Sequence, residues 1–230
     1  MAILKILFIE DETALAEIVK ESLEAKGFEV YHALTLAKAM LLYKQEEPDI
    51  ILADVMLPDG NGFEWIATIR RTDSMTPVIF LTSRSQTADV VKGFEMGGND
   101  YLKKPYSIAE LEVRMKSLLK RELNPVALTK NVTYSWQIGK STFLYPSGEL
   151  KMGIRKRQLT SREADLLQLL LLKRNEPLKR NDILQSLWGN TDYFSGRSLD
   201  VFISKLRSYL NADTTVKIIN VRGLGYKLIC

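Results

Sequence analysis

Ile50-Ile51-Leu52-Ala53-Asp54-Val55-Met56-Leu57-Pro58-Asp59-Gly60-Asn61-Gly62 is the stretch on which the reading of this chain turns. An apolar run ends in one carboxylate, Asp54, and a Pro/Asp/Gly/Asn/Gly turn follows. Such a run reads as a buried parallel strand, and the turn leads into a helix. Asp54 then sits at the carboxyl end of a central strand, the edge where open α/β sheets bind ligands. Two readings stand at this point: a carboxylate that only tops a strand, or part of a site.

Outward from this stretch, strands and helices alternate. Leu4 to Ile9, Phe28 to Ala33, Val78 to Thr82 and Tyr101-Leu102 read as further strands. Helical spacing falls between them, with Leu15, Ile18, Val19 and Leu23 in the first helix and Ala37, Met40 and Leu41 turned inward in the second. Phe63, Ile66 and Ile69 share a face of the third. Thr35 and Ser107 are placed as N-caps. The pattern predicts a doubly wound five-stranded parallel sheet over 1–121, then a linker over 122–131. In 132–230 it predicts three short strands within Val132–Met152, two of them joined by a Pro146-Ser147-Gly148 turn, then three helices and a terminal hairpin. Arg155-Lys156-Arg157 reads as a solvated turn.

Of the 230 residues, 46% are apolar and 26% charged, as in soluble globular proteins. No apolar run spans a membrane, no signal peptide is evident, and the single cysteine, Cys230, allows no internal disulfide. A cytoplasmic protein is expected. Charge is split: residues 1–122 carry 15 Lys/Arg and 20 Asp/Glu, whereas 123–230 carry 17 and 8. The basic half suits nucleic acid.

In a parallel sheet the strand ends converge. Glu10-Asp11, Asp54 and Thr82 end three strands, and Lys104 follows the fifth. Clustered carboxylates repel and need a cation, and a small all-oxygen site favours Mg²⁺. The inventory suits phosphoryl transfer to Asp54, with Thr82 and Lys104 binding the phosphoryl oxygens. His32, with no acidic or cysteine partner nearby in sequence, reads as a strand residue.

At Ile9–Glu12, Ala53–Gly60, Leu81–Arg84 and Asp100–Tyr106 the chain resembles the receiver domain of two-component response regulators. The resemblance implies that Asp54 is the phosphoacceptor of a sensor histidine kinase or a small phosphodonor. It implies Mg²⁺ held by Asp11, Asp54 and the Met56 carbonyl, with Glu10 acting mostly through water. Thr82 and Tyr101 would be the switch pair, and the Lys104–Pro105 bond would be cis. Glu95, Asp100, Arg114 and Lys116 match positions that make ion pairs across a phosphorylation-dependent homodimer.

In the basic half, Gly196 to Leu210 reads as a helix with Leu199, Phe202, Ile203, Leu206 and Leu210 on one face. Arg197, Val201, Ser204, Lys205 and Ser208 lie opposite, with Arg207 at the flank. Leu159–Leu167, Leu187–Gly189, Arg197–Arg207 and Asn220–Tyr226 resemble the OmpR/PhoB-type winged-helix effector domain. This implies double-stranded DNA as partner and Gly196–Leu210 as recognition helix. Arg197, Ser198 and Arg207 would hold phosphates, Val201, Ser204 and Lys205 would line the DNA face, and Arg222 would reach the minor groove. The loop 190–195 would meet RNA polymerase. Many relatives carry polar or basic residues where Phe202 and Ser204 stand, so a shallow salt dependence of DNA binding is expected.

The whole is expected to be a response-regulator transcription factor, not an enzyme. A phosphatase of the haloacid-dehalogenase class would place a second aspartate where Met56 stands. A nucleotide-binding module would have a Gly-rich loop where Glu10-Asp11-Glu12 stands.

Overall fold

The computed structural model describes residues 3–83, 87–123, 133–189 and 193–230, and the chain divides into two compact units, Met1–Leu119 and Lys120–Cys230.

The first unit contains β1 (Lys5–Ile9), α1 (Thr13–Glu24), β2 (Glu29–Ala33), α2 (Leu36–Glu46), β3 (Ile50–Asp54) and α3 (Gly62–Ile69). There follow β4 (Val78–Thr82), α4 (Thr87–Glu95), β5 (Asp100–Lys103) and α5 (Ile108–Leu123). The strands form one parallel sheet in the order β2-β1-β3-β4-β5. That is the doubly wound flavodoxin-like order, with its switch point between β1 and β3.

Every residue of β3 and β4 is buried, as expected for strands covered on both faces. One face packs Ile6, Phe8, Leu52 and Leu81 against Val19 and Leu23 of α1 and Leu111 and Met115 of α5. On the other, Phe63 of α3 meets Phe80 of β4 edge-on at 4.8 Å. Thr35 caps α2, its hydroxyl accepting from the Lys38 N–H. The sequence reading of α2 is corrected: Ala37 and Leu41 are exposed, and Ala39 is the buried residue. Ile18 of α1 is likewise exposed. Much of the region read as linker lies outside the described residues, and α5 runs into its start.

The second unit has the three strands expected over 132–152 and, among the described residues, a fourth beyond them. β6 (Tyr134–Ile138), β7 (Ser141–Tyr145), β8 (Glu149–Met152) and β9 (Arg155–Gln158) form an antiparallel sheet. Arg155-Lys156-Arg157 is therefore an exposed edge strand rather than a turn, a site where charge blunts edge-to-edge pairing. Next come α6 (Ser161–Leu172), β10 (Leu178–Lys179), α7 (Arg180–Trp188), α8 (Tyr193–Leu210), β11 (Lys217–Val221) and β12 (Gly225–Ile229). β12 pairs with both β10 and β11, making the hairpin a three-stranded sheet. Gly189 ends α7 at φ 73°, the left-handed conformation glycine takes without penalty. α8 begins three residues before Gly196, and Trp188 stacks obliquely on Phe202 at 6.0 Å. The three helices with the β11–β12 hairpin make a winged helix.

Candidate functional site

Strand register brings the polar strand ends together. Ile9 pairs with Ala53, so Glu10 follows beside Asp54. Asp54 pairs with Leu81, one residue before Thr82, and Thr82 pairs with Lys103, one residue before Lys104. Lys104 Nζ lies 2.5 Å from Glu10 Oε2 and 2.5 Å from Asp54 Oδ2. The Lys104–Pro105 bond is cis. Glu10, Asp11 and Asp54 each offer a carboxylate oxygen within 4.8 Å of the others. Asp54 Oδ1 accepts from the Met56 N–H at 3.0 Å. Glu10 and Asp54 are buried and Asp11 is exposed, so the cluster opens to solvent on one side.

Burial pushes Glu10 above the usual carboxylate range, and Lys104 only partly offsets it. Burial works against the Lys104 ammonium, but Asp54 and Glu10 overcome it and raise its pKa. Lys104 is thus held charged between two carboxylates. Thr82 and Tyr101 are both fully buried, one on β4 and one on β5. His32 is accounted for in its strand: its Nε2 lies 2.8 Å from the Glu10 carbonyl oxygen.

The donor set fits a hard divalent cation. It consists of oxygens, it is partly open, and only one cation, Lys104, sits directly against its carboxylates among the described residues. Gly62 reads from sequence as the end of the turn and the start of a helix, with no sign of a close backbone contact. A Cβ there would lie 2.2 Å from the Asp54 carbonyl oxygen, so the α3 start is pressed against the end of β3.

Of the positions matched to dimer ion pairs, Arg114 and Asp100 meet each other within the unit. Arg114 NH1 is 3.1 Å from Asp100 Oδ1, and both side chains are buried. Within this chain the pair links the start of β5 to α5. Lys116 bonds Glu112 one helical turn back, and Glu95 is exposed.

In the second unit, α8 presents Ser204 and Arg207 to solvent, with Arg197 and Val201 partly exposed. Three of the side chains expected at the DNA face are engaged within the unit. Ser198 is fully buried, so its hydroxyl faces the unit interior rather than a phosphate. Lys205 reaches Glu163 on α6 at 3.1 Å, with its side chain 17% exposed. Arg207 donates to the Ile218 carbonyl at 2.8 Å and Asn220 Oδ1 at 2.7 Å, which ties α8 to β11. Phe202 is a core residue, which explains why no polar side chain stands there. Arg222 is exposed at the hairpin tip and borders a cleft of about 540 Å³ with Lys179 and Arg180. The loop proposed for RNA polymerase begins outside the described residues and ends in the first turn of α8.

Sequence reading also missed a network at the start of α7. Arg180 NH1 and NH2 meet Asp200 Oδ1 and Oδ2 at 2.6 and 3.0 Å. Arg180 also donates to the Gly196 carbonyl at 2.6 Å, and the Tyr226 hydroxyl donates to Asp200 at 2.7 Å. Burial works against the Asp200 carboxylate, but Arg180 and Tyr226 hold its pKa below the usual range. Because the folded value is depressed, the stabilisation is complete above about pH 4, the unfolded value, and is lost as pH falls through the folded one. Asp200→Asn is expected to cost about 1 kcal/mol at neutral pH, a figure discounted for the carboxylate's exposure. Urea unfolding at pH 7 and pH 3 measures this, and equal stability of the two proteins at pH 7 defeats it.

The comparisons agree with this geometry. Residues 6–116 match the response regulator receiver domain, and residues 155–228 match the C-terminal domain of transcriptional regulatory proteins. The transcriptional regulatory protein RprY of Bacteroides fragilis is 36% identical over 98% of this chain and 94% of its own length. A solved RitR mutant superposes with a TM-score of 0.75 at 25% identity, covering 98% of both chains. The response regulator DrrB of Thermotoga maritima, described as an OmpR/PhoB homolog, superposes over 100% of both chains with a TM-score of 0.52 at 26% identity. A carboxylate-lined sheet edge followed by a basic winged helix, in a chain this similar to such regulators throughout, belongs to the OmpR/PhoB-type family of response regulators.

Proposed function

We propose that this protein is a phosphorylation-dependent transcription regulator in which Asp54 receives a phosphoryl group from a sensor histidine kinase. The observation that carries the reading is the Lys104 ammonium at 2.5 Å from both Asp54 and Glu10, at the switch point of the sheet. An Asp54 oxygen attacks phosphorus in line with the departing imidazole nitrogen of the donor. Lys104 keeps its proton and exchanges a carboxylate partner for a phosphoryl oxygen. The Thr82 hydroxyl donates to another phosphoryl oxygen. Tyr101 then occupies the space that Thr82 vacates.

Mg²⁺ would be held by Asp11, Asp54 and the Met56 carbonyl, with Glu10 acting through water, and when bound it supplies charge screening for the phosphoryl oxygens. The phosphorylated receiver favours a homodimer, and pairing two winged helices raises affinity for paired half-sites in duplex DNA. Ser204, Arg207 and Arg222, with the partly exposed Arg197 and Val201, are the side chains that would meet the duplex, and RNA polymerase is the further partner. Residues 1–121 act as receiver, 122–131 as linker and 132–230 as effector. The setting is the cytoplasm, and among the described residues no helix is long and apolar enough to cross a membrane.

The test compares binding of promoter DNA by the untreated protein, by the protein with a phosphoryl mimic, and by Asp54→Ala with the mimic. Tighter binding is expected only in the second case. Equal affinity in all three removes phospho-control.

A further inference from the structure

Glu163 lies in the first turn of α6 and is almost wholly buried. Its Oε2 accepts from the Thr160 N–H at 2.9 Å, the backward half of a capping box. Its Oε1 accepts two more bonds at 3.1 Å, from Lys205 Nζ and from the Tyr209 hydroxyl, both on α8. The Tyr209 ring is covered in turn by the Arg157 guanidinium at 4.2 Å. One carboxylate therefore closes the α6 cap and clamps α8 at two positions one helical turn apart. The Lys205 side chain is only 17% exposed, and Glu163 is 3% exposed. Ser204, one residue before Lys205 on the same helix, is exposed.

We infer that Glu163 sets DNA affinity from outside the interface, by withholding the Lys205 ammonium from the duplex and fixing α8 against α6. This rests on the reading that α8 and the hairpin bind duplex DNA. Neutralising a buried partner changes what a lysine does next. A lysine without its carboxylate is driven toward solvent, because an isolated ammonium is costly to keep buried. Its four-carbon stem gives it the reach to do so. Beside a duplex it then neutralises one more phosphate.

Glu163→Gln separates charge from cap, since glutamine also serves the third position of a capping box. The experiment measures binding of the full chain to a random-sequence DNA duplex of roughly 20 base pairs, between about 50 and about 200 mM salt. Glu163→Gln is expected to steepen the slope of log affinity against log salt by about 0.9 and to tighten binding about five- to ten-fold near 0.1 M salt. Lys205→Met alone is expected to keep the wild-type slope, and Glu163→Gln with Lys205→Met to return to it. A wild-type slope in Glu163→Gln overturns the inference. So does a shallower slope in Lys205→Met, which would mean that Lys205 already touches phosphate.

If near-ultraviolet circular dichroism shows Glu163→Gln unfolded, Lys205→Met decides alone: an unchanged slope supports the inference and a shallower one overturns it. Arg222→Ala separates the two layers. If it weakens binding while Glu163→Gln does nothing, DNA binding stands and the inference fails. If the wild-type protein shows no salt-dependent binding, both fail.

Discussion

Arg114→Ala is expected to lower the stability of the first unit by about 3–5 kcal/mol, the usual result of removing one partner from a buried ion pair. The Arg114 side chain is 1% exposed and that of Asp100 0%. Arg114 NH1 reaches both Asp100 oxygens, at 3.1 and 3.3 Å, and its Nε and NH2 bond Glu110 Oε1 at 3.2 and 2.9 Å. Asp100 also accepts from the Tyr101 N–H at 2.8 Å. Truncation would leave Asp100 charged, enclosed and served by one amide. Glu110 is 42% exposed and can turn to water, so it adds little to the loss. Removing both charges, in Asp100→Asn with Arg114→Met, should recover much of the stability, because the loss comes from the stranded charge. Urea unfolding of the three proteins measures this. A loss under about 1 kcal/mol for Arg114→Ala would mean that water reaches Asp100.

Gly62→Ala is expected to slow phosphoryl uptake by Asp54 about 100-fold, because misplacing a reacting group by about 1 Å costs that much. The new Cβ would lie 2.2 Å from the Asp54 carbonyl oxygen and 3.2 Å from the Val55 Cα. Both are backbone atoms, so no side-chain rotation relieves the contact. The Gly62 N–H also donates to the Val55 carbonyl at 2.9 Å, which holds the two segments together. Either α3 retreats or the end of β3 tilts, and the Asp54 carboxylate moves with it. Overpacking of this kind also destabilises by about 1–3 kcal/mol. Intact-mass measurement of phosphoryl incorporation from a small phosphodonor, with circular dichroism to show that the chain is folded, tests the prediction. Wild-type uptake would mean that the turn gives way without moving Asp54.

Much of this was legible beforehand. The order of strands and helices follows from apolar runs and helical spacing, which depend only on near neighbours. Glu10, Asp11, Asp54, Thr82 and Lys104 were recognisable because each ends or follows a strand, and parallel register carries such positions to one edge. The inward face of α2 was misjudged because Ala37, Ala39, Met40 and Leu41 all look apolar, and only the packed neighbours choose among them. Arg155-Lys156-Arg157 looked like a turn because an edge strand with both faces wet has no apolar alternation to reveal it.

The sequence by itself determined the doubly wound sheet, the acidic cluster at its switch point, the winged helix and the family. Those features are written in local periodicity and in residue types at strand and helix ends. Tertiary structure decided which charges are free to act. Arg114, Lys205 and Arg207 look alike in sequence as exposed basic residues of amphipathic helices. Only the fold brings Asp100, Glu163 and the Ile218 carbonyl to them, because those partners lie on other elements. A charge's role depends on what reaches it within a few ångströms, and spacing along the chain does not record that. The stretch from Ile50 to Gly62 divides in the same way: its strand and its carboxylate were readable, and the contact of Gly62 on the Asp54 carbonyl was not.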